Sequence, residues 1–136
     1  MNDLVKLTET GDQYSSLVPT SREEQKLFFN AVDNPTEKLS KYINKRIKFV
    51  NVFMERIDIV ERDEDGNPTG VVNSTIKTVL ITTDGNGVIS TSMGIARALM
   101  TMFRVFGTPD TWDEPMECIV EQVEIGKNRT FKFKVV

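Results

Sequence analysis

The sequence predicts a mainly β domain in which five strands are interrupted by one helix, placed between the third and fourth strands. Three observations carry that prediction. The stretch Thr75–Gly107 reads as strand, tight turn, strand, helix. Arg46–Val60, the longest β-like run, precedes it. Met116–Ile125 and Arg129–Val136 follow it as two further strands around the turn Gly126-Lys127-Asn128.

The first strand alternates imperfectly. Ile47, Phe49, Phe53, Ile57 and Ile59 share a parity that Asn51 and Glu55 interrupt, while Arg46, Lys48, Val50, Val52, Met54 and Arg56 take the other. A bulge near Asn51, or a strand apolar on both sides at its centre, accounts for this. Glu61–Gly70 is a charged loop with Gly66 and Pro68, joining that strand to Val71–Thr83 as a hairpin. In the second strand Val79, Leu80 and Ile81 sit among threonines, a β-rich composition. Asp84-Gly85-Asn86-Gly87 tolerates positive φ and reverses the chain. Val88–Thr91 is the short third strand.

Ser90, Thr91 and Ser92 supply oxygens able to cap a helix start. Ile95, Ala98, Leu99, Met102, Phe103 and Phe106 then recur at i, i+3, i+4 spacing as one apolar stripe. Gly107 closes the helix and Pro109 prevents its return. Thr108–Pro115 is a loop holding the only tryptophan, Trp112. In the last strand Phe131, Phe133 and Val135 face one way, and Thr130, Lys132 and Lys134 the other.

Ahead of the strands, Met1–Arg22 is polar and lacks a sustained period. It reads as an irregular arm docking through Leu17 and Val18. Residues 1–25 are therefore taken as a flexible or docking arm and residues 26–136 as one domain. Lys26–Val32 reads as a strand or two helical turns, broken by Asp33-Asn34-Pro35. Thr36–Ser40 reads as a helical turn.

The chain has 136 residues and a formal net charge of −3, which excludes a grossly basic coat but not a local basic face. The lone cysteine, Cys118, has no internal disulfide partner and lies in an apolar run, so it reads as a small buried hydrophobe in a reducing compartment. No positive segment followed by an apolar run suggests a signal peptide. No stretch approaches the roughly 20 apolar residues that cross a bilayer. A cytoplasmic protein is expected, with no membrane partner.

The order long strand, strand, short strand, helix, strand, strand is that of the five-stranded OB-fold barrel. Ile95, Leu99, Met102 and Phe103 would plug one end of it. Such barrels bind single strands or oligosaccharides on one open face, flanked by the first and last hairpin loops, although a fold alone names no function.

Catalysis finds little support. Histidine is absent, which removes the commonest general base and metal ligand. Cys118 has no histidine to activate it. Asp63 and Asp65 flank a turn, but Pro68 stands where a calcium loop needs glycine. Gly85-Asn86-Gly87 lacks the Gly-Lys-Ser/Thr ending of a phosphate loop. The expectation is a protein that is not an enzyme and uses no cofactor or metal.

Basic and aromatic residues say more. Lys41, Lys45, Arg46, Lys48 and Arg56 gather on the first long strand and its approach. Lys127, Arg129, Lys132 and Lys134 gather on the last hairpin, with no acidic residue after Glu124. In an OB barrel the first and last strands lie close, so the two sets would merge. Binders of single strands need such a groove for phosphates and rings on which bases stack. The candidate contacts are Arg46, Lys48, Arg56, Lys77, Lys127, Arg129, Lys132 and Lys134 for phosphates, with Phe53 and Trp112 for bases. Each has a plainer alternative. Lys132 and Lys134 suit the solvent side of an edge strand. Phe49, Phe53, Phe131 and Phe133 suit a core, and Trp112 suits packing over the barrel rim.

The run VLITTDGNGVISTS, the amphipathic helix ending FRVFG and the closing strand pair ending GKNRTFKFKVV resemble the single-stranded DNA-binding proteins of small tailed phages, particularly those with protein-primed replication. The resemblance spans roughly Arg46–Val136 and is clearest from Leu80 onward. It implies an OB-type barrel that coats and protects single strands displaced during viral DNA replication in the infected cell. Single-stranded DNA is then the principal partner, the replication polymerase a second one, and self-association compatible with the role. The other reading is a phage structural or assembly protein that uses the barrel as a docking module.

Overall fold

The structure, a computed structural model, describes residues 13–126 and 128–136. In chain order the elements are β1 (Gln13–Ser15), α1 (Arg22–Asp33), β2 (Glu37–Lys38), β3 (Arg46–Arg62), β4 (Pro68–Thr82), β5 (Gly87–Ser90), α2 (Met93–Phe106), β6 (Met116–Ile125) and β7 (Asn128–Val135). Short 3-10 turns cover Leu39–Tyr42 and Pro109–Thr111.

One sheet runs in the order β2-β5-β4-β3-β6-β7, with β1 added along β3, and curls into a half-barrel. Strand β3 is its spine because it pairs on both edges. Phe49–Arg62 takes β4, while Arg46–Phe49 takes β6 and Phe53–Glu55 takes β1. The expected bulge is present as a register shift between Phe49 and Asn51. Before it, Ile47 and Phe49 face the interior; after it, Val52 and Met54 do, and Phe53 turns to the opposite side. The broken alternation in the sequence is this change of parity.

Helix α2 fills the half-barrel with Ile95, Leu99, Met102 and Phe103, all buried. It ends as its sequence predicts: Gly107 takes φ 83° and its N–H donates to the Phe103 carbonyl. Two parts of the helix differ from expectation. Ser92 is the N-cap but makes no side-chain cap bond; its N–H donates instead to Ser90 Oγ. Phe106 is 48% exposed, because the last turn runs past the sheet. At its other end α2 lies directly on β7. A Cβ on Gly94 would land on Thr130 Oγ1 and 2.8 Å from the Phe131 carbonyl oxygen, so only glycine admits this approach.

The N-terminal region departs most from the sequence reading. Arg22–Asp33 is a helix of three turns, so the helical alternative for Lys26–Val32 holds and the strand does not, and the helix crosses the residue-25 boundary. Its N-cap is a capping box. The Glu24 N–H donates to Ser21 Oγ at 3.1 Å, and the Glu24 carboxylate accepts from Thr20 N–H and Oγ1. The helix places Ala31 and Val32 over Phe53, Val79 and Ile81, forming a second small core on the outer side of the sheet. Phe28 meets Phe53 edge-on at 5.8 Å. Glu37–Lys38 pairs in parallel with Val88–Ile89 instead of forming a helical turn. Tyr42 holds it there by donating its hydroxyl to Glu37 Oε1 at 2.7 Å, and that bond, with burial, pushes the phenol pKa up to about 12. Strands β1 and β2 thus bring the sheet to seven strands where five were expected. The part of the expected arm before Gln13 lies outside the described residues.

Cys118 is fully buried against the interior, as its apolar surroundings predict. Burial, with a smaller contribution from the Glu117 charge, pushes its thiol up to about 12. Since the thiolate is the reactive form, folded protein should resist a disulfide reagent near neutral pH and react fully in denaturant. Fast labelling of the native protein would contradict this packing. Among the described residues no helix is long and apolar enough to cross a membrane.

Candidate nucleic-acid interface

The two antiparallel pairings of β6 decide which cations meet. With β3 on one side, Arg46 lies opposite Ile119 and Lys48 opposite Glu117. With β7 on the other, Lys134 lies opposite Ile119 and Lys132 opposite Glu121. The interior face of these strands is taken by Ile47, Phe49, Cys118 and Val120, so Arg46, Lys48, Lys132 and Lys134 share the solvent face. First and last strands therefore contribute to one patch, but they are not neighbours: β6 lies between them.

That strand brings carboxylates into the patch. Arg46 Nη1 lies 3.0 Å from Glu117 Oε2 and Lys48 Nζ 3.8 Å from Glu117 Oε1. Lys132 Nζ lies 3.9 Å from Glu121 Oε1. These pairs are largely solvated, and exposed ion pairs contribute only ~0–1 kcal/mol. Cations outnumber carboxylates here, so the patch keeps a positive surplus on an acidic protein.

The remaining candidates do not join it. Arg56 follows the bulge and so lies on the opposite face of β3 from Arg46 and Lys48, cross-strand from Ile76. Lys77 shares the outer face of the sheet with the patch but lies further along β3, cross-strand from Glu55, whose carboxylate accepts from Gln13 Nε2. Arg129 sits at the far end of the β6–β7 hairpin, 3.6 Å from Glu124. Phe53 is 5% exposed beneath Phe28, so it is a core residue and offers no face to a base. Lys127 lies outside the described residues.

Trp112 takes the rim position of its plainer reading. Its Nε1 donates to the Gly107 carbonyl at 2.9 Å, and its ring meets Phe49 and Phe103 edge-on at 5.9 and 6.3 Å. It therefore packs over the rim of the half-barrel. It also lines an open groove of about 750 Å³ with Phe106, Val135 and Val136, beside Lys48. The spacing of Phe106 assigns it only to the helix stripe; its place in the last turn, just before Gly107, is the signal that it leaves the core. Asp113, Glu114 and Glu117 line the same groove. Their charges make this groove less favourable to an anion than the lysine-bearing face next to it.

The Asp63 carboxylate serves its own turn, accepting from the N–H groups of Asp65 and Asn67. Among the described residues no cluster of three or more acidic, cysteine or histidine side chains is placed to hold a metal. Comparison of the chain with protein-family models, curated proteins and solved structures found no significant match.

Proposed function

We propose that this chain binds single-stranded DNA without sequence preference, coating and protecting strands exposed during phage DNA replication, and does no covalent chemistry. One observation carries the reading: Arg46 and Lys48 from β3 and Lys132 and Lys134 from β7 share one solvent face beside a groove bearing Phe106 and Trp112. Phosphates would follow the cations and bases would stack in the groove, at about 1–3 kcal/mol per base. The chain-order resemblance supports the same reading. So does the connectivity: the β3-β4-β5 meander, the helix α2 that follows it and the β6-β7 hairpin returning to β3 follow OB-type order. In this reading the barrel is left open between β5 and β7, where β2 takes the edge of β5 and α2 lies on β7.

A second reading, a docking module for another assembly protein, is favoured by the exposed Val105, Phe106, Val135 and Val136 at the end of the half-barrel. A titration of labelled oligo-dT and of duplex, followed by anisotropy and Trp112 fluorescence at low salt, separates the two. Tight binding of the single strand over the duplex, with a change in Trp112 emission, is expected. Absence of oligonucleotide binding at low salt would overturn the proposal.

A further inference from the structure

Strands β3 and β4 continue together past the body of the sheet as a two-stranded ribbon. β5 pairs with β4 only over Thr78–Ile81, and β1 and β6 leave β3 by Glu55. Beyond those points both outer edges of the ribbon lack a strand partner among the described residues. The edges differ in chemistry. The β3 strand carries Arg56, Asp58, Glu61 and Arg62. The β4 strand, without an outer strand partner among the described residues from Pro68 to Lys77, reads Val-Val-Asn-Ser-Thr-Ile from Val71 to Ile76, a run with no charge and no proline between those ends. Gly70, at φ 89°, and the register shift between Val60 and Arg62 confine the irregular part to the tip. Thr75 Oγ1 anchors the base of the ribbon by donating to the Thr91 carbonyl.

Edge strands are ordinarily blunted by lysine, proline or a bulge. Here Pro68 and Lys77 stand only at the two ends; the six residues Val71–Ile76 are regular and uncharged, and Val71 and Val72 are 45% and 56% exposed. We propose that a second copy of this chain adds here, β4 against β4 in antiparallel pairing, giving a four-stranded β3-β4-β4-β3 sheet across a two-fold axis. The charge pattern selects this occupant. A two-fold axis sets the neutral run on itself, so no like charges meet, β-branched side chains pair across the seam, and each free N–H finds a carbonyl. A partner recognised by charge would find only Lys77, at the base of this edge, since the other charged residues of the ribbon lie on β3 or at its tip. The contact is short, so the dimer should form reversibly with rising concentration.

Sedimentation velocity over a micromolar concentration series tests this without DNA. The 15.4 kDa chain is expected to shift toward twice its mass, and Val71→Lys/Val72→Lys to remain monomeric with an unchanged circular dichroism spectrum. Single Val71→Cys, Val72→Cys and Asn73→Cys variants should include one that forms a disulfide-linked dimer under oxidant, while buried Cys118 forms none. A wild type that stays monomeric throughout overturns the proposal. So does a dimer that survives the double lysine variant without any cysteine cross-link, because its interface then lies elsewhere.

Discussion

Changing Lys48, Lys132 and Lys134 together to glutamine is expected to weaken oligo-dT binding by at least ~100-fold at low salt, as the loss of three phosphate contacts implies. Glutamine is the informative replacement. Glutamate at residue 48 or 132 would face Glu117 or Glu121 directly across the strands, and opposed like charges destabilise a sheet. A loss of binding could then reflect a loosened β6. Glutamine keeps a polar, unbranched stem one atom shorter and removes the charge, and the three lysines are exposed. Thermal stability should therefore change little. The complementary variant, Glu117→Gln/Glu121→Gln, frees the cations from their carboxylates and should strengthen binding. If the lysine variant binds as tightly as the wild type, this face is not the interface.

Replacing Gly87 by alanine is expected to lift α1 from the sheet. A Cβ there would meet the Ala31 carbonyl oxygen and lie 2.8 Å from its carbonyl carbon. Both are helix backbone, which cannot rotate away as a side-chain tip can. The helix must shift, and Ala31 and Val32 lose part of their contact with Phe53, Val79 and Ile81. Overpacking of this kind costs about 1–3 kcal/mol, a fall in Tm of roughly 3–10 °C for a chain of this size. Hydrogen exchange should accelerate in α1 more than in α2, whose interior packing is separate. Unchanged melting and exchange would mean that α1 is not held against β5 as described.

Much of the fold is readable because local pattern and tertiary demand agree. The α2 stripe, its glycine stop and the alternation of Phe131 and Phe133 with Lys132 and Lys134 each follow from one element's own period. The Asn51 bulge was legible as a break in that period. Helix α1 was legible only as one of two alternatives for Lys26–Val32, because only Ala31 and Val32 of its twelve residues are buried, which leaves almost no apolar stripe. Its readable signal was the Ser21-Arg22-Glu23-Glu24 capping box. Strands β1 and β2 are too short to show a period and exist through their partners.

The candidate interface was half readable for a similar reason. Counting cations along the chain identified both sets, but not the carboxylates that pairing inserts between them. The turn at Gly126 fixes Glu121 opposite Lys132 and Glu124 opposite Arg129, so the β6–β7 pairs were implicit in the hairpin. The pairing of Glu117 with Arg46 and Lys48 depends on the long-range β3–β6 register, which no local pattern encodes. Phe53 misleads for the same reason: its burial is supplied by a helix that the sequence hardly announces.

The salt dependence of oligo-dT affinity, measured for the wild type and for the triple glutamine variant, tests the claimed path of the strand most directly. Four phosphate contacts predict a log–log slope near −3 for the wild type, and loss of three of them a slope shallower by about 2. Equal slopes for the two proteins would contradict the account, because the strand would then be held by charges other than those on β3 and β7.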